Sequence, residues 1–527
     1  MERTIFTNGL IHTLDSRFPV CEALVVENGR ILDAGSHKEM DVQWGRSGCT
    51  YVDLQGRMAS PGLIDSHLHM SGVALFYLDL DLAGVTSKAK MLDMIREKAK
   101  TLSKGEWLLG MGWDENLFDD GGIPSIEELD AVAPHCPVYL KRTCHHAFLV
   151  NSKAIDISGC GQSDNPNVVK DPYTNKPTGL LLEGAAKLVT PFIPERTYEE
   201  LKGALDQAMK FAVSKGLTSV HSNDPLYLGG LQQTYRMYDE LLNGGNNDLR
   251  CNLLINYPFL KDMIASGMTT GYGNETLRIG AIKMFADGAF GRRTALLSSP
   301  YSDAPGQYGE AIQDMDTLTA MIKDVREAGM PIAVHTIGDQ ALDMVLSARS
   351  QFPESSYRDR IIHASLVRED LVKKLTVPSI VADIQPRFIV GDYPWIQERL
   401  GESRLKDLYA WKTLLSAGVI CAGGSDSPVE PVDPLLGIHA AVTRRAPNEK
   451  HGGWNESEKL SVEEALKLFT IGGAYATNEE DSKGTLSPGK LADMTVYSKD
   501  MTSIEHPDEL LDTNIEMTVI GGRVQNI

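Results

Sequence analysis

Ser60 to His69, SPGLIDSHLH, is the stretch on which the reading of this chain turns. Pro61 and Gly62 punctuate it, and Leu63 and Ile64 open a short apolar run. Side chains of an extended strand alternate between faces, so His67 and His69 point one way and Leu68 the other. Two imidazoles on one face, at the end of a buried strand, make half of a metal site. The same H-x-H pattern also describes two unrelated surface histidines. It gains meaning only if further ligands stand at the ends of later strands.

Seven more apolar β-type runs follow, at 217–221, 251–257, 279–285, 332–335, 361–363, 380–385 and 419–423, separated by amphipathic helical stretches such as 318–328 and 371–375. With 63–69 they form the strand–helix alternation of a parallel α/β fold, and eight such units predict a TIM barrel. The gap of about 145 residues after the first strand is far longer than an ordinary loop. It is expected to be an inserted subdomain at about 75–200, with a helix near 88–102, strands at 107–111 and 138–142, an exposed loop at 156–176 rich in Ser, Gly, Asn and Pro, and a second helix at 198–215. Because it follows the first ligand-bearing strand, it is expected to cover the barrel mouth and set substrate choice.

The two ends of the chain, 1–58 and 485–527, read as short strands around tight turns. They are 4–7 and 10–14 about Asn8-Gly9, 23–27 and 30–34 about Asn28-Gly29, and 517–520 and 523–525 about Gly521-Gly522, with further strands at 51–53 and 494–497. Isolated hairpins are marginal, so both ends are expected to pair into one small β-domain flanking a body of 59–484.

A net charge of −20 excludes nucleic acid and anionic membranes as partners, since both require basic patches. The seven cysteines are scattered with no Cys-x-x-Cys, which indicates a reducing compartment without a disulfide framework. Cys144 beside His145 suggests a thiol nucleophile only weakly, for no motif supports it. The amino-terminal MERTIFTNGL has no basic region leading into an apolar run, and no segment approaches the ~18–20 apolar residues of a membrane span. The expectation is a cytoplasmic protein acting on a small molecule; a homodimer is left open.

Barrel active sites form at the C-terminal ends of the strands. Those ends carry His67 and His69, Lys283 in IGAIKMFADG, His335 in PIAVHTIGD, His363 in RIIHAS and Asp426 in VICAGGSDSPV. Each has a plain alternative: a histidine satisfied in the core, Lys283 paired with Asp287 or another carboxylate, Asp426 in a turn or cap. Several strand ends bearing such residues, in barrel order, point to a divalent-metal site instead.

With these residues in view the chain resembles the amidohydrolase superfamily, and within it amidohydrolase family 3, the branch containing N-substituted formamide deformylases. The marks are PGLIDSHLH, GWDENLF from Gly112, HAFLVNSKA from His146, IKMFADGAFG from Ile282, VHTIGDQA from Val334, IIHAS from Ile361, QPRF from Gln385, GGSDSPV from Gly423 and SPGKLADMTVYS from Ser487. The resemblance implies a (β/α)8 barrel with a β-sandwich and a divalent-metal hydrolase. One or two ions are expected, with Zn2+ the first choice: His67, His69 and Asp426 on one, His335 and His363 on the other, and Lys283 bridging as a CO2-derived carbamate. Asp426 would take a proton from activated water and pass it to the leaving amine. His146 would contact substrate or oxyanion; the plain alternative is a surface histidine. Two departures stand out: Ile362 precedes His363 where family members commonly carry Glu, and Cys144-His145 stands where many show Asp-Gly.

The expected activity is hydrolysis of a non-peptide carbon–nitrogen bond in a small amide of N-formyl or N-acyl amine type. Deaminase or ester-hydrolase chemistry on the same site, and a catalytically silent scaffold relative, are the alternatives. Trp113, Phe148, Phe388 and Trp395 are candidates for an apolar pocket, and Arg292 and Arg293 for a grip on a carboxylate. Core packing and a solvated loop pair are their plain alternatives.

Overall fold

The computed structural model describes residues 3–45, 48–119, 122–142, 146–245 and 247–525. Eight strands form one sheet: β1 (Leu63–Leu68), β2 (Leu217–Ser222), β3 (Arg250–Asn256), β4 (Leu277–Phe285), β5 (Ile332–Thr336), β6 (Asp359–His363), β7 (Ile380–Ile384) and β8 (Ile420–Gly423). They are ordered β1 to β8 across the sheet, and every neighbouring pair is parallel. Each of the eight expected runs lies on one of them, and the sheet curls into a nearly closed barrel. Buried on both faces, such strands read as continuous apolar runs rather than as alternations.

The seam between β1 and β8 decides the site. Asp426 N donates to His67 O at 2.7 Å, and His69 N donates to Ser427 O at 2.7 Å. The close approach depends on Gly424, where a Cβ would lie 2.6 Å from His67 N. Buried Asp65 adds to the join by accepting from Ser425 N and His67 N, both at 3.1 Å. The helices outside follow their patterns. Met315–Glu327 is capped by Asp314, whose side chain accepts from Thr317 N, and buries Leu318, Ile322 and Val325 on one stripe.

Two further sheets come from the chain ends. One has the order Arg30–Gly35, Ala23–Glu27, Arg3–Thr7, Cys49–Asp53; the other runs Arg523–Val524, Ile515–Ile520, Met494–Tyr497, Met58–Pro61, Leu10–His12, Val20–Cys21. Phe6, Ile11, Leu24, Val26, Ile31, Met494, Val496 and Val519 share one core. The turns at Asn28-Gly29 and Gly521-Gly522 close hairpins, pairing Glu27 with Arg30 and Ile520 with Arg523. Asn8-Gly9 does not. Strand Arg3–Thr7 is taken on both edges, by Ala23–Glu27 and Cys49–Asp53, so no edge remains for the next strand. Leu10–His12 crosses instead to the other sheet, beside Met58–Pro61.

The chain divides into two compact units, Met1–Ser71 with Met209–Ile527, and Gly72–Ala208. The second holds a six-stranded sheet in the order Val168–Lys170, Pro177–Leu182, Ala147–Val150, Val138–Arg142, Leu108–Trp113, Leu80–Asp81. Helices Lys88–Lys100 and Ile126–Val132 supply Met91, Ile95, Leu129 and Val132 to its core. The segment read as an exposed loop contains the short strand Val168–Lys170, which pairs with Pro177–Leu182. Among the described residues no helix is long and apolar enough to cross a membrane.

Candidate metal centre

His67, His69 and Asp426 converge at the seam, with potential ligand atoms all within 4.8 Å of one another. Both Nε2 atoms stand 3.4 Å from Asp426 Oδ1, and that oxygen is buried without a hydrogen-bond partner. His69 Nδ1 donates to Asn223 O at 2.9 Å, which turns Nε2 and its lone pair toward the carboxylate. A carbonyl on the far nitrogen is the usual way to fix the tautomer of a metal-binding imidazole. Asp426 holds a left-handed backbone, φ +55°, a conformation uncommon for a residue with a side chain.

His335 and His363 form a second group. His335 Nε2 donates to Gly288 O at 3.0 Å, and His363 Nδ1 donates to Gln385 Oε1 at 2.7 Å. The Gln385 amide is itself oriented by its Nε2 donating to Asp383 O at 3.2 Å. The remaining nitrogens, His335 Nδ1 and His363 Nε2, face each other 2.9 Å apart. In the neutral tautomers both are lone pairs, so a cation between them is required to make the contact favourable. Burial, reinforced by the charges of His363 and Lys283, holds His335 well below the ordinary histidine value, and burial holds His363 at about 4 against the opposing pull of Asp426. His67 is likewise held down by burial and by Lys283. His69 is the exception. Burial pulls it down, but the Asp426 carboxylate beside its Nε2 outweighs this and leaves it raised. An imidazole–carboxylate set arranged in this way fits a divalent ion.

Lys283 is 1% exposed, with Nζ 3.2 Å from His67 Nε2. Among the described residues no carboxylate lies within ion-pair distance of it. Asp287, its alternative partner on sequence grounds, accepts from Ile337 N, Leu296 N and Gly338 N. Burial lowers Lys283 to about 7, so much of it is an uncharged amine near neutral pH.

A family model described as the amidohydrolase family matches residues 50–525. The chain belongs to amidohydrolase family 3. YtcJ of Bacillus subtilis (strain 168), which carries the name of an amidohydrolase, is 39% identical over 99% of each chain. An N-substituted formamide deformylase of Arthrobacter pascens is 25% identical over 99% of this chain and 98% of that one. A crystal structure of an uncharacterized metal-dependent hydrolase from Pyrococcus furiosus superposes with a TM-score of 0.79 and 30% identity, covering 95% of this chain and all of that one.

Other residues of this amidohydrolase separate sharply. Phe388 stacks on His363, centroids 5.6 Å apart. Trp113 is core: it is fully buried in the second unit, and its Nε1 donates to Leu140 O. Phe148 is buried there too, stacked on Tyr139 at 5.4 Å. The Trp395 indole donates to Gly391 O within its own helix. Arg293 is spent on Asp303, with Nε and one terminal nitrogen donating to its two oxygens at 3.1 and 2.8 Å; the carboxylate it grips belongs to the protein. Arg292 is exposed. His146, half-buried in the second unit, pairs through Nδ1 with Glu183 Oε2 at 2.8 Å. Ile362 packs with Leu254, Ala281 and Ala333 and presents nothing polar. Cys144 and His145 lie outside the described residues.

Three orienting partners escaped the sequence reading. Asn223 O and Gly288 O are backbone atoms, which no residue pattern encodes. Gln385 was legible, since it opens the QPRF motif, but its role was not. Two aromatic neighbours were also missed: Phe285, 5.5 Å from His335, and Tyr227, 6.2 Å from His69.

Proposed function

We propose that this amidohydrolase hydrolyses the carbon–nitrogen bond of a small N-formyl or N-acyl amine with bound divalent metal, Zn2+ first. The facing lone pairs of His335 and His363 carry the reading, because with both outer nitrogens donating, to Gly288 O and to Gln385, the neutral rings leave a contact that a bound cation would make favourable. His67, His69 and Asp426 would hold one ion and His335 and His363 another, with Lys283 between them. Bound metal supplies Lewis acidity toward a carbonyl oxygen and toward water. Asp426, with one unpartnered oxygen, receives the proton lost by water and returns it to the amine nitrogen as the carbon–nitrogen bond breaks. Lys283, as a free amine, would add CO2 and release one proton to become a carbamate, so that a neutral side chain would gain the negative charge that two cations favour. The carbonyl of Asn223, the carbonyl of Gly288 and the Gln385 amide keep the outer nitrogens of His69, His335 and His363 protonated and their inner ones available.

The formamide deformylase relative supports N-formyl amines as the first class to try. The test is a screen of N-formyl, N-acyl and cyclic amides with metal-loaded protein, resolving products, alongside elemental analysis of protein purified without chelator. Formate or another acid, appearing with one equivalent of amine, is the expected result. Ammonia release would turn the reading to a deaminase. Less than half an equivalent of metal, unchanged after reconstitution, would end it.

A further inference from the structure

Around the metal centre the first unit builds a wall that the motifs do not announce. The loop after β2, Asn223 to Gly230, performs two tasks. Its first residue accepts the hydrogen bond that orients His69. Its fifth, Tyr227, places a ring 6.2 Å from the His69 imidazole at 82°, edge to face, and remains 62% exposed. The loop is firmly held. The Asp224 carboxylate, fully buried, accepts from Ser71 N, Ser71 Oγ, Ser222 Oγ and Tyr238 Oη at 2.9, 2.7, 2.5 and 2.5 Å. Asn223 Nδ2 donates to Leu254 O at 3.0 Å, and Tyr227 N donates to Asp224 O at 2.8 Å. Leu228 is buried and Leu226, like Tyr227, is exposed.

A large aromatic fixed in the open beside a metal ligand is not there to fill a core. It costs exposed apolar area on a rigid element, the usual sign of a binding wall. Phe285 and Phe388, both half-buried, also lie beside ligand histidines, Phe285 tilted at 5.5 Å from His335 and Phe388 stacked at 5.6 Å on His363. Rings from three different strand ends thus collar the ligand histidines. The Arg293 guanidinium, a candidate grip for an anionic substrate, is engaged by Asp303, and Arg292 is exposed. The collar therefore suits an uncharged, apolar substituent.

We propose that Tyr227 is a specificity-determining wall of the substrate site, packing its ring against an apolar or aromatic group on the amide nitrogen. This rests on the amide-hydrolase reading above. It is tested with full-length, metal-loaded protein, comparing N-(2-phenylethyl)formamide with N-ethylformamide in wild type, Tyr227→Phe and Tyr227→Ala. KM, kcat, calorimetric Kd and metal content are measured for each. Tyr227→Phe should stay within about twofold of wild type, and Tyr227→Ala should raise KM and Kd for the phenylethyl amide by about tenfold while changing the ethyl amide by about twofold or less. Metal content and kcat should hold. Equal weakening of both amides, or none, overturns the wall. If Tyr227→Ala fails to fold, Tyr227→Leu replaces it, with the same selective loss expected. If wild type releases no formate, the hydrolase reading falls but calorimetry still decides. A selective tenfold loss of phenylethyl binding keeps the wall, and no preference for that amide in wild type removes it.

Discussion

Two buried aspartates stand just past the ends of barrel strands, Asp287 after β4 and Asp426 after β8, and they could hardly be treated more differently. Asp287 accepts from three backbone N–H groups at 2.7 to 3.0 Å and staples two loops together. Burial pushes its pKa up to about 7. Asp426 is as firmly placed by the seam, yet one oxygen has no donor and points at two imidazoles. Burial alone would raise it, but the adjacent His69 ring and the charges of His363 and Lys283 bring it below the ordinary carboxylate value. A carboxylate with backbone donors on both oxygens is architecture. One held in a left-handed backbone with a lone pair unmet is reserved for something absent from the chain.

That contrast breaks most easily at Asp426. Asp426→Asn should lower kcat/KM by more than ~10³-fold and cut bound metal, with little change in thermal midpoint. Retained metal together with retained activity would erase the distinction. Lys283 offers the next largest effect, through pH. Its folded pKa of about 7 lies below the ordinary 10.5, so between those values the unfolded chain binds the extra proton, and stability rises with pH. In metal-free, CO2-free buffer, wild type should gain up to about 4 kcal/mol over Lys283→Met from about pH 7 to about pH 10. Parallel pH curves from denaturant titration would show that the lysine is charged in the fold.

A smaller effect separates bridge from ballast. Lys283→Ala should lose about 10²-fold in activity and recover part of it with formate, acetate or propionate, which can take the place of a carbamate. Carbon-13 labelling that finds only a bare ammonium in metal-loaded enzyme contradicts the bridge. The smallest effect is expected at Asp287: Asp287→Asn should cost about 2 kcal/mol of unfolding free energy while keeping its metal. Loss of metal without loss of stability would make it a ligand-side residue after all, and the comparison would collapse from the other side.

Much of the site was legible because barrels concentrate chemistry where strands end. His67 and His69 announce a shared face by a period of two, and His335, His363 and Asp426 repeat the signal at three later strand ends. Aromatic residues were read less well. Trp113 and Phe148 have the composition of a pocket but went to the core of the second unit, while Phe285 and Tyr227 had no motif to mark them. Arginine misled in the same way, since Arg293 finds its carboxylate in Asp303, only ten residues on.

The sequence by itself determined the barrel, the two hairpins at Asn28-Gly29 and Gly521-Gly522, the histidines and carboxylate of the candidate site and the family, all of which rest on local periodicity and residue chemistry. Tertiary structure decided what locality cannot express. It sent Leu10–His12 into the other sheet, because both edges of the preceding strand were already filled. It brought Asp426 to His67 through backbone hydrogen bonds across the barrel seam. It also oriented His69, His335 and His363 with a carbonyl or amide from another strand end. Hydrogen bonds between strands are set by which edges meet when the sheet closes, and a backbone carbonyl carries no side chain by which to be recognised in advance.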